Sequence, residues 1–97
     1  MKIEFPHVAP VYNADDISIE FAVDCERKRI VCAISAEALE DHFEAKSCHV
    51  DDLMSAFKTH RASIEKFAAR YLQLCHGAPV FLRSGHFRWK EQLPPSK

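Results

Sequence analysis

The longest periodic segment of the chain reads VDDLMSAFKTHRASIEKFAARYLQLC and spans residues 50–75. Its apolar residues recur at steps of three, four and seven, the pattern of a helix that buries one face. These residues are Val50, Leu53, Met54, Phe57, Ile64, Phe67, Ala68, Tyr71, Leu72 and Cys75. At roughly 1.5 Å per residue, one helix of this length is on the order of 38 Å long. We therefore expect a single long helix against which the rest of the chain packs.

Both ends of this helix carry recognisable signals. Asp51 or Asp52 is expected to cap the first turn, because its carboxylate can accept from the free amides there. Gly77 is expected to take the left-handed conformation that follows a last helical turn, and Pro79 prevents continuation.

The segments before the long helix have the patterns of strands. Residues 2–5 alternate before Pro6 and predict a short edge strand, while residues 17–23 alternate strictly and predict a strand with one buried face. Residues 29–34 are apolar on both sides, which predicts an interior strand. Residues 24–28 are the expected hairpin connection, although they lack an Asn-Gly or Asp-Gly pair. Ser35 is the expected N-cap of a short acidic helix, and residues 80–82 predict a last strand.

This order of elements favours an α+β fold. We expect two layers, with a small antiparallel sheet of about four strands packed on two helices, one of them long. A chain of 97 residues is short enough for one domain. We place that domain at residues 1–92 and expect a flexible tail at residues 93–97.

The composition is that of a globular protein, with 47% hydrophobic residues and only 2 Gly. No apolar run reaches the roughly 20 residues that a membrane span needs. The first residues, MKIEFPHV, lack the apolar core of a signal peptide. We therefore expect a cytoplasmic protein with no membrane contact. In that reducing compartment its four cysteines, Cys25, Cys32, Cys48 and Cys75, are expected to remain free thiols.

A set of core and capping positions matches the pattern of a known family. These positions are residues 3–6, Tyr12, Ser35, residues 37–40, Phe43, Phe57, His60, Arg61, Ile64 and Ala68. Through them, residues 2–88 resemble a small bacterial family known as domain of unknown function 1488. The resemblance implies a compact α+β domain in a cytoplasmic bacterial protein with no assigned activity. It supplies no catalytic residues.

Two adjacent cysteine–histidine pairs, Cys48-His49 and Cys75-His76, are the nearest approach to a metal site. Zinc sites usually space two ligands by two to four residues, and adjacent residues turn poorly onto one ion. A catalytic thiol would also need a histidine and a third group to orient it. We therefore expect no metal, no cofactor and no catalytic residue. A thiol- and histidine-dependent protein that binds a metal or a small molecule is kept as an alternative.

His60 and Arg61 lie at the boundary of the buried face of the long helix. One interpretation is a histidine hydrogen-bonded to a neighbour, beside an arginine that pairs with an acid of the first helix. The other is a polar notch that binds a small anion or the carboxylate of a partner. Charge alone does not separate these interpretations.

The two halves of the chain differ in charge. Residues 1–52 contain 12 acidic and 5 basic residues, whereas residues 53–97 contain 2 acidic and 8 basic residues. The second half contains a set of cations that could form a basic stripe, with the aromatic Phe87 and Trp89 among the last of them, a combination that can hold single-stranded nucleic acid. These cations are Lys58, Arg61, Lys66, Arg70, Arg83, Arg88 and Lys90. The four on the long helix also suit the solvated face of an amphipathic helix, and no recognised RNA-binding motif is present.

These observations lead to one main hypothesis and two alternatives. The main hypothesis is a non-enzymatic accessory or protein-interaction domain that associates with itself or with another protein. The alternatives are nucleic-acid binding by the basic second half and the thiol- and histidine-dependent protein described above. The candidate ligand or partner surface comprises His60, Arg61, Lys66, Arg70, Phe87 and Trp89.

Overall fold

One sheet and one layer of helices make up the fold. The computed structural model describes residues 2–87, so the predicted tail at residues 93–97 and the end of the predicted domain, residues 88–92, lie outside the described residues. Within residues 2–87 the elements are β1 (Ile3–Glu4), β2 (Val11–Asn13), β3 (Ser18–Cys25), β4 (Lys28–Ser35), α1 (Ala36–His42), α2 (Val50–Thr59), α3 (Arg61–Leu74), β5 (Phe81–Leu82) and a 3₁₀ helix (Ser84–Phe87).

The sheet is built around β3. β1 and β2 both pair with β3, near its opposite ends, and β4 pairs with its other side; all three pairings are antiparallel. β5 pairs in parallel with Ala33 and Ile34 near the end of β4, and the three helices form the long crossover that a parallel pair needs. The α+β class is confirmed. The sheet is mixed and has five strands, whereas the sequence predicted an antiparallel sheet of about four.

The hairpin between β3 and β4 has a strained turn. Cys25 pairs with Lys28, so the connection has only two residues, Glu26 and Arg27. Both have positive φ, 53° and 70°, as a type I′ turn requires. Asn and Gly adopt this conformation most easily, and their absence here is why the sequence signal for the turn was weak.

Replacing Arg27 by Gly is expected to raise the free energy of unfolding by about 0.5–1 kcal/mol. A left-handed backbone costs a non-glycine residue roughly 1–2 kcal/mol, and the extra unfolded-state entropy of Gly offsets about half of that gain. Urea denaturation followed by circular dichroism measures the difference. Lys28→Gly is the matched control: Lys28 lies next in the chain with ordinary strand geometry, so this change should destabilise. Equal losses in both variants would contradict the strained turn.

The core lies between one face of the sheet and the helices. Ile19, Phe21 and Val23 of β3 are fully buried, as are Cys32 and Ile34 of β4. The helices contribute further buried side chains, which include Leu39, Leu53, Phe57, Ile64, Ala68 and Leu72. The apolar alternation of β3 and the periodicity of residues 50–75 therefore meet in one core.

The predicted long helix is two helices that meet at His60, which corrects the expectation of a single rod. His60 has φ −109° and ψ 19°, outside helical geometry. Two hydrogen bonds still run across the junction, from the amide of His60 to the carbonyl of Ala56 and from the amide of Ile64 to the carbonyl of His60. The apolar repeat continues past the junction because both helices bury the same face, so periodicity gave no sign of the break.

The predicted N-cap was right for α1 and wrong for α2. Ser35 caps α1 as predicted, since its hydroxyl accepts from the amide of Ala38 at 3.1 Å. His49 is the N-cap of α2, with no side-chain hydrogen bond, so the prediction of Asp51 or Asp52 was wrong. Both acids lie inside the first turn, where they still favour the positive end of the helix dipole. Gly77 has φ 84° after α3, as predicted.

Candidate functional site

The sheet has one face that the helices do not cover within residues 2–87. The pairing register puts Val11, Ala33 and Phe81 on this face, and Ala22 and Val31 in the next row. Val11 is 58% exposed and Val31 is 52% exposed, although both lie on paired strands. We call these five residues and the polar residues around them the open face. The sequence predicted an interior strand at residues 29–34, and β4 does lie between β3 and β5, although Val31 on its outer side is exposed.

Polar side chains surround the apolar centre of the open face. Asp24 and Arg29, paired across β3 and β4, form an ion pair beyond Ala22 and Val31. Glu20 lies within the apolar row itself, between Val11 and Ala33, and accepts a hydrogen bond of 2.8 Å from the side-chain amide of Asn13. Apolar side chains combined with charges of both signs are common on protein-binding surfaces.

Arg83 lies against the outermost apolar residue of the open face. Its guanidinium carbon is 4.6 Å from the centre of the Phe81 ring. The cation therefore shields part of this ring from water.

His60 lines a shallow cavity of about 210 Å³ on the helix side of the molecule. Its Nε2 atom lies 3.6 Å from Oε1 of Glu44, and its ring lies 5.5 Å from that of Phe43. Glu44 follows α1 with φ 62°, a left-handed conformation that favours glycine. Carboxylates of Glu44 and Asp52 and the amine of Lys46 also line the cavity. The cavity is therefore lined by residues of both signs of charge.

Arg61 does not line this cavity and instead holds the N-terminal segment. Its Nη2 donates to the carbonyl of Val8 at 3.1 Å and to that of Pro6 at 3.4 Å. Its Nε donates to Glu65 at 2.8 Å, and its guanidinium lies 5.4 Å from the centre of the Phe57 ring. The expected pairing with an acid of the first helix is therefore replaced by a pair within α3. Arg61 has a structural function in this fold.

Among the other predicted surface residues that the structure describes, two are exposed and one is buried. Lys66 and Arg70 are exposed on α3. Phe87 is only 1% exposed, so it belongs to the core and not to an exposed aromatic end. Its ring centre lies 4.8 Å from that of Phe67, because the 3₁₀ helix folds back onto the helices. Trp89 lies outside the described residues.

Asp41, His42 and Ser84 come together between α1 and the 3₁₀ helix. The hydroxyl of Ser84 donates to Asp41 at 2.6 Å, while Nε2 of His42 lies 3.1 Å from the carbonyl of Ser84 and 3.3 Å from its hydroxyl. In a catalytic triad the acid contacts the histidine, which accepts the proton of the nucleophile. Here the carboxylate of Asp41, and not the histidine, accepts the hydrogen bond from the serine hydroxyl. This arrangement attaches the 3₁₀ helix to α1 and does not activate Ser84.

The cysteines fall into two classes by exposure. Cys25 and Cys32 are buried, whereas Cys48 and Cys75 are exposed. The expectation that Cys75 continues a buried stripe was wrong, because α3 ends at Leu74 and Cys75 lies past its last turn. Burial raises the pKa of the Cys32 thiol. Within residues 2–87 no group of three or more histidine, cysteine or acidic side chains is placed to hold a metal ion.

Thiol labelling of the native protein should therefore separate these classes. Cys48 and Cys75 are expected to react rapidly with a water-soluble disulfide reagent near pH 8, and all four cysteines to react after denaturation. Cys32 should react at least about tenfold more slowly, because it is buried and its raised pKa lowers the thiolate fraction. Mass spectrometry of the labelled peptides identifies each site. Fast native labelling of Cys32 would contradict the described core.

In the described part of the chain, no helix is both long enough and apolar enough to cross a membrane.

A family model described as "Protein of unknown function (DUF1488)" matches residues 3–78. The chain belongs to the DUF1488 family. The matched region of this DUF1488 protein contains β1–β4 and all three helices, and it stops before β5 and the 3₁₀ helix. No curated protein and no solved structure matches the chain.

Proposed function

We propose that this DUF1488 protein is a protein-interaction domain that binds another protein chain on its open face. The observation that carries the proposal is the exposure of Val11 and Val31 on the same face of the sheet. Contiguous apolar surface with a polar margin typically marks an interaction site, whereas single exposed apolar side chains need no explanation.

The shape of the open face supports a flat partner. Ala22 and Ala33 are small, so a second layer can approach the sheet to about 10 Å, the usual spacing of packed sheets. Burial of the remaining exposed surface of Val11 and Val31 contributes on the order of 1 kcal/mol for each side chain. The charged residues around the open face would fix the orientation of the partner more than they would raise its affinity. The main hypothesis from the sequence is therefore kept, with its surface moved from the basic helix to the sheet.

Site-specific photocrosslinking tests this proposal without knowledge of the partner. A photoreactive amino acid at position 31 is expected to give a crosslink to a protein chain in living cells. The same amino acid at position 74 is the matched control, because Leu74 is also exposed and apolar, 68%, but lies on the helix side. Position 31 should crosslink and position 74 should not. Equal products at both positions, or none at position 31, would reject the open face as the binding site.

Nucleic-acid binding is the second candidate function. Among the described residues, Lys66 and Arg70 form no ion pair, and the nearby carboxylate of Glu65 is occupied by Arg61. Fluorescence anisotropy with a mixed-sequence RNA tests it: binding that weakens steeply with salt and is reduced in Lys66→Ala and Arg70→Ala supports this function. Absence of RNA binding at low salt would reject nucleic-acid binding as the function.

We also propose a bacterial cytoplasmic location. The exposed, unpaired thiols of Cys48 and Cys75 support it, because exposed thiols persist most readily in a reducing compartment. Fractionation of cells that express the chain at its natural level provides the test.

A further inference from the structure

We infer that the chain on the open face is a second copy of this protein, related to the first by a twofold axis that runs along the strands between β3 and β4. This inference rests on the proposed function and names the partner. It follows from the pairing register of the sheet, which makes the open face complementary to itself.

The register determines which residues meet under such an axis. In one copy Ala22 of β3 lies directly beside Val31 of β4, and Asp24 lies beside Arg29. A twofold axis between the two strands exchanges their positions, so each β3 residue faces the β4 residue with which it pairs in its own sheet. Ala22 then faces Val31 of the second copy, and Asp24 faces Arg29 of the second copy.

The facing side chains fit in size. A small alanine lies opposite a valine twice in the dimer, as two packed sheets require when their side chains interdigitate. One strand further out, β2 and β5 lie on opposite sides of the axis. One continuous row runs from Val11 through Glu20 and Ala33 to Phe81, so Glu20 faces the small Ala33 of the second copy. Val11 is therefore brought opposite Phe81 of the second copy, and the two most peripheral apolar side chains cover each other.

The facing charges are also complementary. Asp24 and Arg29 already form an ion pair within each copy. The twofold axis places the two ion pairs face to face in reversed order, so that four charges of alternating sign form a square. Each carboxylate then has a guanidinium beside it and another opposite it. An axis along β3 itself would put Asp24 against Asp24, and an axis along β4 itself would put Arg29 against Arg29, so both are disfavoured.

Pairing through the edge of β4 is the competing mode of self-association, and the edge disfavours it. In the described part of the chain β5 pairs with β4 only at Ala33 and Ile34, so residues 28–32 leave a short free edge. Lys28 and Arg29 are exposed on this edge. Lysine and charge on an edge strand are common devices against such pairing.

A charge-exchange experiment on the purified full chain tests the second copy and the axis together. Sedimentation velocity from about 1 to 100 μM is expected to show a dimer for the wild type. Asp24→Arg alone and Arg29→Asp alone are each expected to weaken dimerisation about tenfold or more, because each creates two like-charge contacts per dimer. An equimolar mixture of the two variants should recover a heterodimer, because every facing pair is again opposite in charge.

Controls keep the result interpretable. Both variants break the same exposed ion pair within a copy, so equal thermal stability of their monomers shows that folding is not the cause. Leu74→Lys should leave the dimer unchanged, whereas Val31→Lys should weaken it at least about 100-fold, since a cation enters the apolar centre twice. Failure of the mixture to recover association would overturn the axis. A wild type that stays monomeric would overturn the second copy, and crosslinking at position 31 to a different protein would then leave the proposed function standing.

Discussion

Phe87→Ala is expected to lower the free energy of unfolding by about 3–5 kcal/mol, the usual cost of removing a buried phenylalanine ring. The ring is 1% exposed and lies edge-on to Phe43, with centres 5.1 Å apart, and close to Phe67. Its loss leaves a cavity between the helices that backbone movement cannot fill completely. Chemical denaturation measured by circular dichroism gives the change directly.

The same variant tests whether the fold extends past the matched family region. Phe87 lies nine residues beyond residue 78, where the family match ends. Leu74→Ala is the control, because Leu74 is 68% exposed and its truncation should change stability by no more than about 0.5 kcal/mol. A loss below about 1 kcal/mol for Phe87→Ala would show that the 3₁₀ helix is an appendage and not part of the core.

Arg61→Met is expected to lower the free energy of unfolding by about 1.5–3 kcal/mol, the range for hydrogen bonds that involve a charged group. Methionine keeps the apolar stem over Phe57 but removes the donors to the carbonyls of Pro6 and Val8 and to Glu65. Hydrogen exchange should show faster exchange in residues 6–12. Equilibrium denaturation gives the free energy.

Two further variants show whether the geometry of Arg61 matters beyond its charge. Arg61→Lys should recover less than half of the loss, because an ammonium group cannot reach two carbonyls and a carboxylate in the fixed geometry of the guanidinium. Arg70→Met, on the exposed side of the same helix, should change stability by less than about 0.5 kcal/mol. Full recovery by lysine would indicate that only the positive charge is needed.

The layers of the fold were predictable because buried side chains recur at the regular spacing of a strand or a helix. The strict alternation in β3 identified its buried side, and steps of three and four identified the buried sides of α2 and α3. A helix can break and continue in a new direction while the same face stays buried, and the periodicity of apolar residues is then unchanged. This is why the sequence did not predict the break at His60. Ser35 was predictable as a cap because its hydrogen bond spans only three residues.

The candidate site was less predictable because it depends on contacts between distant segments. His60 and Arg61 are neighbours in sequence, yet one lines a cavity with Glu44 and the other holds residues 6–8. The apolar residues on both sides of β4 predicted an interior strand, and the single copy leaves Val31 exposed. In the proposed dimer the second copy covers that side, which would account for the pattern. The apolar residues on both sides of β4 were visible in the sequence, but only the strand register showed which of them lie on the open face.

The sequence alone determined the class of the fold, the buried sides of its main elements and the free state of its cysteines. Each of these follows from short-range spacing, local hydrogen bonding or composition. Only the tertiary structure decided the parallel placement of β5, the core position of Phe87 and the exposure of Val11 and Val31 on one sheet face. These depend on which strands become neighbours and where the helices end, and such choices are made by the packing of segments far apart in the chain.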